Sequence, residues 1–184
     1  PTMRYAIFLC SLVLSFPVLA QFEDVTIKST HVGGSIHMLE GRGGNLGVSV
    51  GEDGVFLVDD QYAPLTDRIL AAIRALSDAP VRFVINTHWH SDHTGGNEQL
   101  GAGGSVVVAH DNVRERMSTD QFMAAFKREV PASPDAALPL VTFNDRITFH
   151  FNGEAIRVYH VAAAHTDGDS IIHFPESNVI HMGD

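Results

Sequence analysis

His88-Trp89-His90-Ser91-Asp92-His93 places three imidazoles and a carboxylate within six residues. The cluster follows directly on Val81 to Ile85, an apolar run of the kind that forms a buried strand. Imidazole nitrogen and carboxylate oxygen are the donors a divalent cation takes when one coordination position stays open to water. No cysteine stands among them, so the chemistry indicated is hydrolysis at a metal rather than a structural thiolate clip. Side chains two apart in an extended chain share a face, which predicts that His88 and His90 grip one ion while Trp89 and Ser91 point away. Gly95-Gly96 then re-aim the chain, leaving Asp92 and His93 on the bend to face a second ion. The plainer alternative is a polar loop of solvated histidines, which is the usual state of a single His but fits three behind a buried-type strand less well.

The elements that must hold this cluster can be read on either side of it. Ser35 to Leu39, Asn45 to Val50 and Val55 to Asp59 are strand-like and separated by the Gly-rich turns GRGGN and GEDG. Leu65, Ile69, Leu70, Ile73 and Leu76 then recur at helical spacing, with Pro64 in the first turn and Pro80 closing the segment. Strand, helix and strand with a ligand-bearing loop at the carboxyl end is where open α/β sheets place their chemistry. Downstream, Val106 to Ala109 reads as a buried strand and Asp111 to Met117 as a helix capped by Asp111, with Asn112 the alternative cap. Ser118 to Leu140 carries Pro131, Pro134 and Pro139 and reads either as a mobile flap over the site or as a surface connection. Arg146 to Phe151 and Ala155 to His160 flank Asn152-Gly153, a two-residue hairpin signal. Ser170 to Phe174 and Val179 to His181 bring His165 and Asp184 beside strand ends.

Taken whole, Thr87 to Asn97, THWHSDHTGGN, resembles the His-x-His-x-Asp-His signature of the metallo-β-lactamase superfamily. The resemblance implies an α/β fold, the αββα metallo-β-lactamase sandwich, with the motif at a strand end. His165 in HTDGD matches the third histidine of the first metal site, and Asp184 in HMGD matches the aspartate that bridges both metals in glyoxalase II-like and lactonase-like members. The implied metal ligands are therefore His88, His90, Asp92, His93, His165 and Asp184, with Asp92 also catalytic through its orientation of the hydroxide. Asp59 matches an aspartate that braces the metal loop. It is expected, with Asp167 and Asp169, to fix imidazole tautomers, although for Asp167 a turn bond to nearby amides is an equal alternative. The implied cofactor is Zn²⁺, two ions in a complete chain, with iron possible. In the family a last histidine lies beyond the bridging aspartate, so the C-terminal part of the sandwich is expected to be incomplete and the second site to lack one ligand.

Three histidines and a solvent molecule would give the open four-coordinate site in which a zinc ion lowers the pKa of its bound water to about 7. The expected activity is thus that of a zinc-dependent hydrolase using a metal-bound hydroxide on a small ester, lactone, thioester or lactam. Family members that are true β-lactamases carry Cys or Ser in place of Asp184, which disfavours an antibiotic substrate. HTDGD with HMGD looks most like exported members associated with quinoprotein systems. The competing expectation is a non-catalytic metal- or sulfur-handling accessory protein, or an inactive truncated relic. His31, His37, His110, His150, His160, His173 and His181 each stand alone and are expected to be structural, His110 and His160 being the nearest to strand ends beside the site.

With 184 residues and 45% hydrophobic content, the chain can bury one core. Its net charge of -10, from 12 basic and 22 acidic residues, disfavours a nucleic-acid surface and suits a small-molecule substrate. Arg4, the apolar run Ala6 to Phe16, Pro17 and Val18-Leu19-Ala20 before Gln21 form a secretory signal, so 1–20 is expected to be cleaved and 21–184 to be the metallo-β-lactamase-like domain. The run is short for a bilayer span, which predicts a periplasmic or secreted protein with no stable membrane association once the signal is cut. Cys10, the only cysteine, would leave with that segment. The oligomeric state is left open by the sequence.

Overall fold

Gly and Asn punctuation divides the chain into thirteen strands and four helices among residues 21–184, the part that the computed structural model describes; the expected signal lies outside the described residues. The first half runs β1 (Lys28–Gly33), β2 (Ile36–Glu40), β3 (Leu46–Gly51), β4 (Gly54–Val58), α1 (Thr66–Arg74), β5 (Val81–Ile85), α2 (Ser91–Thr94), α3 (Asn97–Ala102) and β6 (Val106–His110). There follow α4 (Asp111–Met117), the small hairpin β7 (Gln121–Met123) and β8 (Arg128–Val130), and β9 (Val141–Phe143). Last come β10 (Arg146–Phe151), β11 (Glu154–His160), β12 (Ser170–Phe174) and β13 (Val179–His181).

Two sheets face each other. The larger has the order β1-β2-β3-β4-β5-β6-β9 and the smaller the order β10-β11-β12-β13. Strands β1 to β4 form an antiparallel meander, whereas β5, β6 and β9 add parallel to β4, as expected where helices supply the crossovers. Period-two alternation sorts the side chains between layers. Val55, Leu57, Val84 and Val107 pack with Ile69 and Ile73 of α1. Their neighbours Phe56, Val58, Ile85 and Val108 point the other way, onto Ile156, Val158, Ile172 and Phe174 of the smaller sheet. Phe56 is fully buried there, 5.0 Å from the Phe149 ring and 6.3 Å from that of Phe174. Truncating it to Ala would cost about 3–5 kcal/mol. Helices, large sheet and small sheet make three layers of the expected sandwich; on the outer face of the small sheet Arg157 and Tyr159 are exposed.

The Asn152-Gly153 turn is the expected tight hairpin, with φ of 51° and 79° at its two residues. Asn152 also reaches across the layers, donating through Nδ2 to Ser49 Oγ and to the Gly54 carbonyl at 3.1 and 3.0 Å. Some expectations need correction. α4 is capped by neither Asp111 nor Asn112, because the His110 side chain takes the role, its Nδ1 accepting from the Asn112 amide at 3.1 Å. β1, β9 and the β7–β8 hairpin were not expected; each is short or polar on an edge, so no apolar periodicity announces it. No described helix is long and apolar enough to cross a membrane.

Candidate metal centre

The site lies at the carboxyl ends of β4, β5 and β6. Immediately after β4, Asp59 and Gln61 adopt left-handed backbone conformations with φ of 60° and 55°. Such conformations cost non-glycine residues about 1–2 kcal/mol each, and here a lattice of bonds holds them. The Asp59 amide donates to Ile85 O at 2.9 Å, the Asp60 amide to His93 O at 3.1 Å, and the Gly95 amide to Gln61 O at 2.8 Å. A Cβ on Gly95 would stand 2.6 Å from both Gln61 O and the Ala63 nitrogen, so only glycine permits this approach. Asn86 and Asn97 close the loop from below, each amide donating to the other at 3.1 and 2.9 Å. The two segments after β4 and β5 are therefore one interlocked unit.

Hydrogen bonds within that unit fix two imidazole tautomers. Asp59 accepts from the Thr87 amide at 2.7 Å and from Thr87 Oγ1–H at 2.8 Å. With its proton committed to Asp59, the Thr87 hydroxyl can only accept from His88 Nδ1–H, 3.1 Å away. The His88 Nε2 lone pair is then turned toward His90. Asp59 Oδ2 likewise accepts from His93 Nδ1–H at 2.7 Å, which turns His93 Nε2 toward Asp184. Asp59 thus does what was expected of it. Asp167 and Asp169 do not touch an imidazole through their carboxylates: Asp167 pairs with Arg116 at 2.7 Å, and Asp169 binds the Thr166 amide and hydroxyl at 2.6 and 2.8 Å. Both are drawn to the nearest donors, and Asp169 shapes the loop that carries His165.

The structure brings the predicted side chains together in two groups. In the first, His88 Nε2 lies 3.1 Å and His165 Nε2 lies 3.0 Å from His90 Nδ1. In the second, His93 Nε2 lies 3.1 Å from Asp184 Oδ1 and 3.8 Å from Asp92 Oδ2. Asp184 also stands 3.9 Å from His165 Nε2 and so lies between the groups. His88 and His93 are buried, whereas His165 and Asp184 are partly open to solvent. His88 and His90 meet although β5 ends at Ile85 and residues 86–90 bend, so the expected strand geometry is replaced by a turn. Asp92 and His93 fall within α2, the bend that was expected to aim them elsewhere.

Charge separates the two groups. Burial, then the neighbouring His93, push His88 down to about 4, and burial with His165 lowers His90, so these rings present neutral lone pairs. Burial works against charge on His93 as well, but Asp59, Asp92 and Asp184 outweigh it and push the ring up to about 9. Burial would raise Asp59, yet His93 holds it below the usual carboxylate range. Asp60, fully buried beside it, is raised well above that range by burial.

The donor set fits a divalent cation. His93 Nε2 is buried without a hydrogen-bond partner, since the Asp184 contact lacks hydrogen-bond geometry. Three imidazole nitrogens about one ion at ~2.0–2.1 Å would stand about 3.3–3.4 Å apart, slightly wider than the separations of the first group. His88, His90 and His165, and His88, His93 and Asp184, each offer ligand atoms within 4.8 Å of one another.

Other residues at the site were not anticipated. The GRGGN turn, expected only to join strands, wraps the centre: Gln61 Nε2 donates to Gly44 O at 2.6 Å, and a Cβ on Gly44 would collide with the His93 ring. Trp89 does not point away. It packs beside Leu138 and Val113 and lines, with Tyr62, His90, Asp92, His165 and Asp184, a cleft of about 290 Å³. The supposedly isolated histidines include two pairs: His110 stacks on His160 with ring centroids 3.7 Å apart, and His31 meets His37 at 5.1 Å across β1 and β2.

The profile of the metallo-beta-lactamase superfamily matches residues 39–184. The chain belongs to that superfamily. Among curated relatives it is 25% identical over 140 residues to the alpha subunit of 2,4-dinitroanisole O-demethylase of a Nocardioides species, covering 73% of the chain and 38% of the relative. It is 27% identical over 106 residues to hydroxyacylglutathione hydrolase of Erythrobacter litoralis, covering 56% and 34%. The fold matches the subclass B3 metallo-beta-lactamase of Bradyrhizobium japonicum with a TM-score of 0.70 at 19% identity, over 85% of this chain and 60% of that one. The chain thus spans less than half the length of these two curated relatives.

Proposed function

We propose that this chain carries the metal centre of a zinc-dependent hydrolase acting on a small ester, lactone, thioester or lactam. The observation that supports this most is the convergence of three imidazole nitrogens, those of His88 and His165 each within 3.1 Å of His90 Nδ1, with His88 and His90 kept neutral chiefly by burial, beside an open cleft. His88, His90 and His165 would hold one cation, and Asp92, His93 and Asp184 a second, Asp184 being placed between the groups. A cation held so supplies Lewis acidity toward a carbonyl oxygen and acidifies water. For such imidazole and carboxylate donors the divalent affinity order places zinc above ferrous iron.

The chain's own residues carry the remaining tasks. Asp92, half-buried in the cleft wall, is positioned to orient the attacking water and to take its proton on a carboxylate oxygen. Asp59 and Thr87 keep the lone pairs of His93 and His88 aimed inward. Trp89, Met123 and Phe126 supply apolar walls that favour a partly hydrophobic small molecule. Residues 1–20 support export to the periplasm or the medium, and a secreted product beginning at Gln21 would establish it.

The test is turnover of chromogenic ester, lactone, thioester and lactam probes by the zinc-loaded protein, against His88→Ala and Asp92→Asn. Cleavage of at least one class, lost in His88→Ala and reduced at least about 100-fold in Asp92→Asn with the ion at His88, His90 and His165 retained, is expected. Uptake of a single ion with no probe cleaved would instead favour the accessory metal-handling role.

A further inference from the structure

Two unlike sets of residues line the cleft. The ligand cluster contributes His90, Asp92, His165 and Asp184, and the β7–β8 hairpin contributes Met123, Phe126, Arg128 and Val130. Strand register aims these side chains. Met123 pairs with Arg128 and Gln121 with Val130 across the hairpin, so Met123, Arg128 and Val130 share the face over the cleft. Phe122 and Glu129 pair on the opposite face and, with Gln121 and Val130 at the hairpin's open end, line a separate depression. Lys127, with φ of 48°, turns the chain just before Arg128 and sets that phase.

Arg128 is the only arginine or lysine among the described residues lining the cleft. Other arginines nearby in sequence are engaged in the fold: Arg116 pairs with Asp167, and Arg114 binds Pro139 O. Arg128 has no side-chain hydrogen bond or ion pair with any described residue, although Asp92 and Asp184 line the same cleft. Trp89, Tyr62, Met123 and Phe126 line the same cleft as Arg128 and the two histidines, Phe126 being 72% exposed. A guanidinium so placed offers a planar fork that suits a carboxylate, in a cleft shared with apolar side chains and the ligand cluster.

We propose that Arg128 is a specificity-determining residue that binds a carboxylate-type anionic group at the far end of the substrate. The substrate class narrows to small molecules with an apolar body, a hydrolysable carbonyl at one end and a negative charge at the other. This rests on the hydrolase reading for its carbonyl, while the anion site stands on the hairpin geometry.

The test separates the two. Zinc-loaded protein, Arg128→Gln, Arg128→Lys and the outward-facing control Glu129→Gln are assayed with 4-nitrophenyl hydrogen glutarate and with its neutral methyl ester, which share one scissile bond. Trp89, the only tryptophan, reports binding of 4-phenylbutyrate and of its neutral amide by fluorescence without turnover. In Arg128→Gln the KM for the acid should rise about tenfold, the loss of one charge-assisted contact. KM for the methyl ester should stay unchanged, with partial recovery in Arg128→Lys and no effect in Glu129→Gln. The preference for phenylbutyrate over its amide should vanish in Arg128→Gln alone. If both esters are cleaved and Arg128→Gln leaves the acid-to-ester ratio as it was, the anion site is wrong and the hydrolase stands. If neither ester is cleaved but the phenylbutyrate preference depends on Arg128, the hydrolase reading fails and the anion site stands.

Discussion

Asp59 and His93 share a buried hydrogen bond of 2.7 Å, and the same carboxylate binds the Thr87 amide and hydroxyl. One side chain therefore sets the orientation of His93 directly and of His88 through Thr87. Asp59→Asn offers an amide that can satisfy these donors only in part, so both lone pairs lose their aim. Zinc affinity should fall about 10–100-fold, the usual effect of removing a carboxylate behind a ligating imidazole. Competition with a chelating indicator measures this, and wild-type affinity in the variant would show that Asp59 does not orient the site.

Proton release should accompany metal uptake. With its ring pushed up to about 9, His93 carries a proton on Nε2 at neutral pH that a cation must displace, whereas His88, at about 4, carries none. Affinity for the ion at His93 should therefore rise with pH up to about 9. Calorimetric titration at pH 7 in two buffers of different ionisation enthalpy gives the proton count; a count of zero contradicts the protonated ring. In the metal-free protein the same raised value means a stabilising charge that is fully present below the unfolded His value near 6.5 and lost as pH climbs through about 9.

Asp60 should act in the same direction at lower pH. Its Oδ1 accepts from the Gly96 amide at 2.8 Å, while Oδ2 is buried with no partner. Burial raises its pKa well above the ordinary value, so the folded chain keeps a proton that the unfolded chain gives up near pH 4. Stability should fall as pH rises above that point. Asp60→Asn preserves the acceptor for Gly96 and should flatten the fall in Tm as pH rises above the ordinary carboxylate value near 4 in metal-free protein. Parallel Tm curves for variant and wild type would rule out this role for Asp60.

Gly44→Ala tests the wrapping turn. The new Cβ meets His93 Cε1, Nε2 and Nδ1, so the ring must move while His88, His90 and His165 are untouched. The variant should bind one zinc ion with near wild-type affinity and lose the second by at least about tenfold, comparable to disturbing a ligand's support. Metal analysis after dialysis against graded free zinc distinguishes this from a general loss of binding.

Much of this arrangement is legible in the sequence because its signals are local. The six residues 88–93 sit together, and the near-continuous apolar runs of β4 and β5 announce strands buried between layers. His165 and Asp184 could be singled out only through a family resemblance, since no periodicity links them to a loop more than 70 residues earlier. Thr87, Gly44 and Arg128 were missed for a related reason: a hydroxyl relaying a tautomer, a missing Cβ and a strand phase acquire meaning only from neighbours distant in sequence. His110 eluded the capping rules because they weigh Ser, Thr, Asp and Asn, whereas an imidazole acceptor serves once its other nitrogen is tied, here to Asn144 O at 2.9 Å. Asp167 and Asp169 were assigned by proximity in sequence to His165, and competition from Arg116 and Thr166 decided otherwise.

His88, His90 and His93 project from the large sheet, whereas His165 follows β11 and Asp184 follows β13 in the small one. A cation gripped by both sets would act as a clasp across the seam of the sandwich. Its binding energy would then also resist the parting of the layers, so that withdrawing zinc with a chelator loosens the protein at the mouth of the cleft first, as faster amide exchange in residues 161–169 than in β4 would reveal.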